Sequence, residues 1–466
     1  MAKKDGKLKK VHQVIDSVES LLGSENVLPA KAIAVIRELV QITKALVNQL
    51  GLNSSNSSIP PSRDPNRKKK KRAKGKKRKP GGQKGHKGSH LKQVENPDEV
   101  EEIWVDRRSL PKGQYHHVGF DSRQVFDVEF SVRVTEYRAE ILENKRGVQF
   151  VAEFPTGVTE SAQYGDSVKE HSVYLSQYQM IPLQRVTDYF VSQLGLPLSK
   201  GSVANFNALA AQKLSWFGPW AKKELIQSAV INADETGINI DSKGHWLHCL
   251  SSDRATLFHV DTKRGTEAME RMGVLPMFRG ILVHDHWKPY FKYDCKHSLC
   301  NAHHLRELER AFEQDGQLWA KKMIALLDRI NDAVHAADGK LSRKAAKSFQ
   351  NKYRRLLKKA HTECPDSGKR AQSKSRNLLL RLKKFETEVL RFMKAKEVPF
   401  TNNQGERDIR MTKVQQKISG CFRSLAGARN FALIRSYLLT CQKKGIDPAA
   451  ALKLLFDGKR PPFASG

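Results

Sequence analysis

The sequence predicts an α/β protein: a mixed-sheet core interrupted by a helical insertion and preceded by helical and small β modules. Three observations carry this. Short apolar runs bounded by Gly, Ser and Asp recur across residues 229–300, with the length of buried strands. Residues 315–395 then read as long helical segments rich in Lys and Arg. Ahead of both, residues 125–134 alternate. Val125, Asp127, Glu129, Ser131 and Arg133 lie on one side, and Phe126, Val128, Phe130, Val132 and Val134 on the other.

The chain has 466 residues, enough for roughly two to four domains. Its net charge is +33, from 82 Lys and Arg against 49 Asp and Glu. That excess points to a polyanionic partner, nucleic acid first and an anionic membrane surface second. No apolar run is long enough to span a bilayer, and no apolar signal segment follows the basic start. The six cysteines form no CxxC pair. They suit reduced cytosolic thiols, not a disulfide framework or zinc ribbon.

In chain order, residues 1–52 are a helical segment. Ile33, Ile36, Val40, Thr43, Val47 and Leu50 recur there at alternating spacings of three and four. That seam is either a helix packed on its own protein or a short coiled coil. Residues 53–95 are a linker, rich in Ser, Asn and Pro before a tract at 63–92 with fifteen Lys or Arg against the single Asp64. Such a block repels itself and is expected to be disordered when free. It is a solvated tail or a sequence-independent DNA contact, the cations being Lys68, Lys69, Lys70, Lys71, Arg72, Lys76, Lys77 and Arg78. Residues 96–155 read as the small β module, and His116-His117 there lack cysteine partners for a zinc site. Residues 156–222 are helical. A helix over 182–194, a break at Gly195 and a helix capped by Ser199 outline a helix-turn-helix or a plain helical hairpin. As a DNA reader it would use Lys200, Ser202, Asn205 and Asn207.

Residues 223–312 hold the first part of the core. A strand at 229–233 runs into Asp234-Glu235, Thr236-Gly237 reads as a tight link, and a second apolar run fills 238–240. Strands follow at 245–250 and 255–260, with turns at Lys243-Gly244 and Ser252-Asp253, then a helix at 266–272 and a strand at 280–284 ending at Asp285. An isolated Asp234 would be explained as a turn cap. Paired with Asp285 at the end of a neighbouring strand, about 4.8 Å away if parallel, it could share divalent metal. Oxygen-only ligation favours magnesium or manganese over zinc, and two such ions suit phosphodiester cleavage. Cys300 and His303 stand one helical turn apart, but two ligands make no zinc site. They read as a structural pair or a phosphate contact, and no zinc is expected. Residues 313–398 are the helical insertion, broken at 338–339 and 364–368, whose basic faces solvation alone explains. Residues 399–466 complete the core. Asn402-Asn403 can cap a helix with Glu406, Arg410, Lys413 and Lys417 on one face and Asp408 elsewhere. That face is a surface ion-pair array, or a third metal ligand among phosphate-binding cations.

As an ordered set, these residues resemble the Asp-Asp-Glu transposases of bacterial insertion sequences, of the insertion-sequence-sixty-six family. The carriers are GGQKGHKG at 81–88, QYG…IPLQRV…LGLPLSKGSVAN at 163–205, ADETG at 233–237, VHDHWKPY at 283–290, CNAHHLREL at 300–308 and NNQGERDIRMTKVQQKISGCFRS at 402–424. The resemblance implies an RNase H-like core with Asp234, Asp285 and Glu406 as the catalytic, metal-binding triad and two Mg2+ (or Mn2+) as cofactors. Cys300 and His303 match a Cys-x-x-His signature of several such groups. The implied chemistry frees 3′-hydroxyls at the element's ends, and these then attack target DNA. The implied partners are double-stranded DNA, further copies of the chain and small accessory proteins of the same element, with no membrane, in a bacterial cytoplasm at the nucleoid. The alternative is a catalytically inert DNA-binding relative acting as a repressor or architectural protein, against which the presence of all three carboxylates stands. Two departures are visible. Residues 100–125 hold no cysteine where relatives commonly carry a zinc ribbon, and Asp285 is followed by His286-Trp287 where Gly-Tyr is frequent. Glu235 is expected to face the opposite side of its strand from Asp234 and to be no catalytic group.

Overall fold

The computed structural model describes residues 14–18, 20, 30–57, 64, 66, 91–366, 368 and 372–464. The eight basic-tract cations named above lie outside them. Helix α1 (Ala30–Leu50) buries Val40 and Val47 of the expected seam. Leu50 is exposed, and so is a neighbouring row of Val35, Leu39, Ile42 and Leu46. Its end is tied to the body by Gln314 Nε2 donating to Asn48 O at 3.0 Å.

The small β module departs from expectation. Only β1 (Ile141–Glu143) and β2 (Gln149–Val151) pair, as an antiparallel hairpin. Residues 125–134 carry no ladder, and no residue of 91–160 is buried. Alternation supplies one apolar face, but a strand also needs a partner edge and something to bury that face against. Neither is present among the described residues.

The helices α2 (Asp166–Val173), α3 (Leu183–Leu194), α4 (Lys200–Lys213) and α5 (Phe217–Ile226) follow. Gly195 ends α3 in the left-handed region (φ +60°), and Ser199 Oγ caps α4 by accepting from Ser202 N. Val203, Phe206 and Ala210 turn one face of α4 into the core, while Lys200 and Asn205 stay exposed and Ser202 half-buried. Asn207 is buried and accepts from Ser176 Oγ at 3.0 Å, so it is a packing residue, not a DNA contact.

The core sheet is built from β3 (Val230–Ile240), β4 (Lys243–Ser251) and β5 (Thr256–Asp261), then, after α6 (Thr266–Met272), β6 (Ile281–His284) and β7 (Lys296–Leu299). Its order is β5-β4-β3-β6-β7, with the first three strands antiparallel and β6 and β7 parallel to β3. Two expectations are corrected here. β3 runs unbroken through Thr236-Gly237, because β4 pairs with it from Asn232 to Ile240. The hairpin loop is Asp241-Ser242, both with positive φ, not Lys243-Gly244. Such a two-residue loop matches the twist of the strands it joins.

The remaining helices are α7 (Asn301–Asp315), the insertion helices α8 (Leu318–Ala336), α9 (Arg343–Glu363), α10 (Lys374–Lys384) and α11 (Glu386–Val389), then α12 (Asn403–Ser419), α13 (Leu425–Lys443) and α14 (Pro448–Phe456). The insertion has a core of its own around Trp319, Leu327, Tyr353 and Leu379, continuous with Leu308 of α7. A second core joins α2–α6 to the sheet and α13–α14, and a third packs α12 and α13 on β3–β5. No described helix is long and apolar enough to cross a membrane.

Candidate active site

β3 is where the sheet changes from antiparallel to parallel pairing. Its parallel ladder with β6 stops at Asn232↔Val283. Two residues further on stand Asp234 and Asp285, level with each other at the carboxyl end of the parallel strands. Open α/β sheets place ligands at such a switch point. Asp234 is therefore not at a strand end, as its sequence suggested. It lies inside β3, opposite Cys249 of β4, and only its β6 side is open. Backbone N–H groups orient both carboxylates: Glu235 N donates to Asp234 Oδ1 and Trp287 N to Asp285 Oδ1, each at 2.9 Å.

Glu406 arrives on the first turn of α12, next to Gly405, which packs on Asp234. A Cβ at Gly405 would lie 3.5 Å from Asp234 Cβ and 3.3 Å from Asn402 Oδ1. Glycine inside a helix costs about 1 kcal/mol relative to alanine, and the tight contact a side chain here would make is with the Asn402 amide. Asn402 stands at the helix N-cap but makes no cap bond. Its side chain instead donates to Ala233 O at 2.8 Å and accepts from Asn232 Nδ2 at 2.7 Å, while its backbone N–H donates to Cys300 Sγ at 3.2 Å. This buried residue thus joins β3, α7 and α12 at one point. Sequence position alone indicates only a helix cap for it.

The carboxylates sense one another. Burial and then the charge of Glu235 push the Asp234 pKa up to about 8, with further upward contributions from Glu406 and Asp285. Glu235 points to other partners. Its buried carboxylate accepts two bonds from Arg264, at 3.0 and 2.7 Å, and one from Tyr290 at 2.5 Å. Arg264 in turn lies between Trp246 and Trp287, at 4.9 and 4.4 Å from the ring centroids. Sequence spacing does not reveal this network, since its members come from four separate segments.

Cys300 and His303 open α7, which begins where β7 ends beside β6; Cys300 N donates to His284 O at 2.9 Å. Together with Glu406 they bring one sulfur, one nitrogen and one oxygen within 4.8 Å of each other. His303 Nδ1 and Glu406 Oε1 are buried with no hydrogen-bond partner. Burial pushes the His303 pKa down to about 4 and the Cys300 thiol up. Of the cations expected on α12, Arg410, Lys413 and Lys417 are all exposed, with Lys413 Nζ also donating to Gly237 O. Asp408 faces the opposite way and is buried, accepting from Ser251 and Thr256 hydroxyls and from Lys443 Nζ at 3.0 Å.

Comparison with known families gives two matches. A family model described as Transposase IS66 family matches residues 161–430, which contain every carboxylate above together with Cys300 and His303. A model for a family of unknown function matches residues 16–92. No curated protein matches the chain.

Proposed function

The chain belongs to the IS66 transposase family, and from this we propose that it binds the ends of an insertion sequence, cleaves there and joins the freed ends to target DNA. In this reading Asp234, Asp285 and Glu406 are the catalytic carboxylates of an RNase H-like core. The observation that supports it is their mutual electrostatic influence, the charges of Glu406 and Asp285 both raising the Asp234 pKa. Asp234 and Asp285 are level at the end of the parallel ladder, and α12 carries Glu406 against Asp234 through Gly405. The strand order, three antiparallel strands followed by two parallel to the first, supports the fold assignment.

Two magnesium (or manganese) ions are the proposed cofactors, and the donor set suits them. All three proposed ligands are hard carboxylates, the charges of Glu406 and Asp285 both reach Asp234, and Asp234 stays protonated up to about 8 unless a cation offsets the charges around it. When bound, such ions supply Lewis-acid polarisation and charge neutralisation at the attacking and leaving oxygens. The chain's own residues do the rest. The sheet fixes Asp234 and Asp285, and Asn402 locks the helix that presents Glu406. Arg410, Lys413 and Lys417 extend from Glu406 along one exposed face and would hold backbone phosphates. Lys200, Ser202 and Asn205 at the start of α4 would read the element ends, and the tract 63–92 would add affinity without sequence preference. Pairing two ends requires more than one copy of the chain.

The test is purified protein with labelled element ends, a second duplex and Mg2+. Cleavage at the 3′ ends and joining to the second duplex are expected, and both should be lost in Asp285→Asn and Glu406→Gln with end binding retained. Binding without cleavage by the wild type would make it an inert DNA-binding protein. Cleavage without joining would make it a nuclease or resolvase.

A further inference from the structure

We propose that Cys300, His303 and Glu406 form a binding site for a zinc-class divalent ion, held through sulfur, nitrogen and oxygen. The site shares one carboxylate with the proposed triad and otherwise rests on residues outside it. Three observations carry the inference. The first is proximity: the three donor atoms lie within 4.8 Å of one another. Tetrahedral zinc, with Zn–S about 2.3 Å and Zn–N about 2.0 Å, sets its ligand atoms about 3.5 Å apart. Small side-chain rotations would close that gap.

The second is unmet hydrogen bonding. His303 Nδ1 and Glu406 Oε1 are buried without partners. Both atoms belong to residues of this one cluster, and buried polar atoms left without partners need an explanation. A metal ion supplies one.

The third is how the ligands are held. Asn402 N donates to Cys300 Sγ at 3.2 Å, and Asn402 O accepts from Glu406 N at 3.2 Å. One backbone residue therefore sets the distance between the thiol and the carboxylate. The same N–H fixes the position of the sulfur, as an outer-shell donor does for a metal ligand. Ion binding would release the thiol proton to solvent and leave a fourth, open coordination position, as in three-ligand zinc sites. A thiolate–imidazole–carboxylate set selects zinc-class ions over magnesium. Local sequence offered only the Cys300 and His303 pair; Glu406 joins them from α12, beyond the whole insertion.

Cobalt is the probe. Full-length protein stripped with chelator and titrated with Co2+ should bind about one ion per chain at this site. A thiolate-to-cobalt charge-transfer absorption should appear, be abolished by Zn2+ and survive excess Mg2+. Cys300→Ser should lose the absorption, and His303→Gln should weaken Co2+ binding by about tenfold or more. Cys421→Ser, a half-buried thiol elsewhere, should keep it. Should Cys300→Ser fail to fold by circular dichroism, His303→Gln carries the test, since it leaves the thiol in place. A wild type without the absorption, or an absorption unchanged in Cys300→Ser, overturns the site. The two readings fail separately. Asp234→Asn should keep the cobalt absorption and lose Mg2+-dependent cleavage, whereas cleavage without any cobalt absorption would remove this site alone.

Discussion

Asp234 is costly to ionise. Its pKa, raised to about 8 first by burial and then by the charge of Glu235, stands above an ordinary value of 3.8. The folded state therefore keeps a proton that the unfolded state has lost, so this group subtracts stability as pH rises above about 4, and the loss is complete above about 8. Asp234→Asn removes it. In metal-free buffer at pH 8 the variant should be more stable than wild type by several kcal/mol, with the difference shrinking toward pH 4. Paired thermal melts across that range check this; a gap that does not change with pH would contradict the assigned burial of charge. The same variant should cleave no DNA, a trade of activity for stability. At this scale the sequence was informative where chemistry is local. The Asp234-Glu235 pair was visible, and Glu235 meets Arg264 and Tyr290. What spacing could not reveal was contact across the chain. Asn402 could be read only as a helix cap, because the carbonyl of Ala233 it seeks lies on a distant strand.

Strands and helices were more legible than the turns between them, because apolar runs report burial while a turn depends on which strand pairs with which. The link expected at Thr236-Gly237 is absent because β4 pairs across it. The alternation at 125–134 yielded no strand for the converse reason: no partner is present among the described residues. Two element-level contacts carry measurable consequences. Lys443, on α13, is nearly buried and donates to Asp408 of α12 and to Ser251 and Thr256 of the sheet. Lys443→Met leaves the Asp408 carboxylate buried without its counter-charge and should destabilise by about 3–5 kcal/mol. Combining it with Asp408→Asn should recover part of the loss, and a double-mutant cycle in urea measures the coupling. Independent losses that simply add would mean the pair holds nothing together. Gly280, just before β6, is a second such point. A Cβ there would lie 2.6 Å from Ala229 O and 2.8 Å from Ser228 O, backbone atoms that cannot turn away. Gly280→Ala should cost about 1–3 kcal/mol by overpacking and shift β6, and Asp285 with it. Denaturant melts read the first effect, and cleavage rate per folded molecule reads the second.

Across the whole molecule, charge is the property that the sequence displays most openly and the fold explains least. The net charge of +33 is far larger than the cations on α4 and α12 require, and the densest block of it is the tract 63–92. Its consequence is thermodynamic. Each cation set on a phosphate releases a counterion and adds about 0.9 to the slope of log binding constant against log salt. Deleting 63–92 should therefore weaken binding to element ends and to unrelated duplex alike, and flatten the salt slope by several units. The ratio between the two affinities should change little, because discrimination is assigned to Lys200, Ser202 and Asn205 on a helix whose core face stays packed. Asn205→Ala should do the reverse, lowering that ratio while leaving the slope within about one unit of wild type. Binding isotherms over a salt series, on both duplexes and for both variants, separate the two contributions. A deletion that leaves the slope unchanged would mean the tract is a solvated tail, and would move the source of non-specific affinity to the exposed cations of α12.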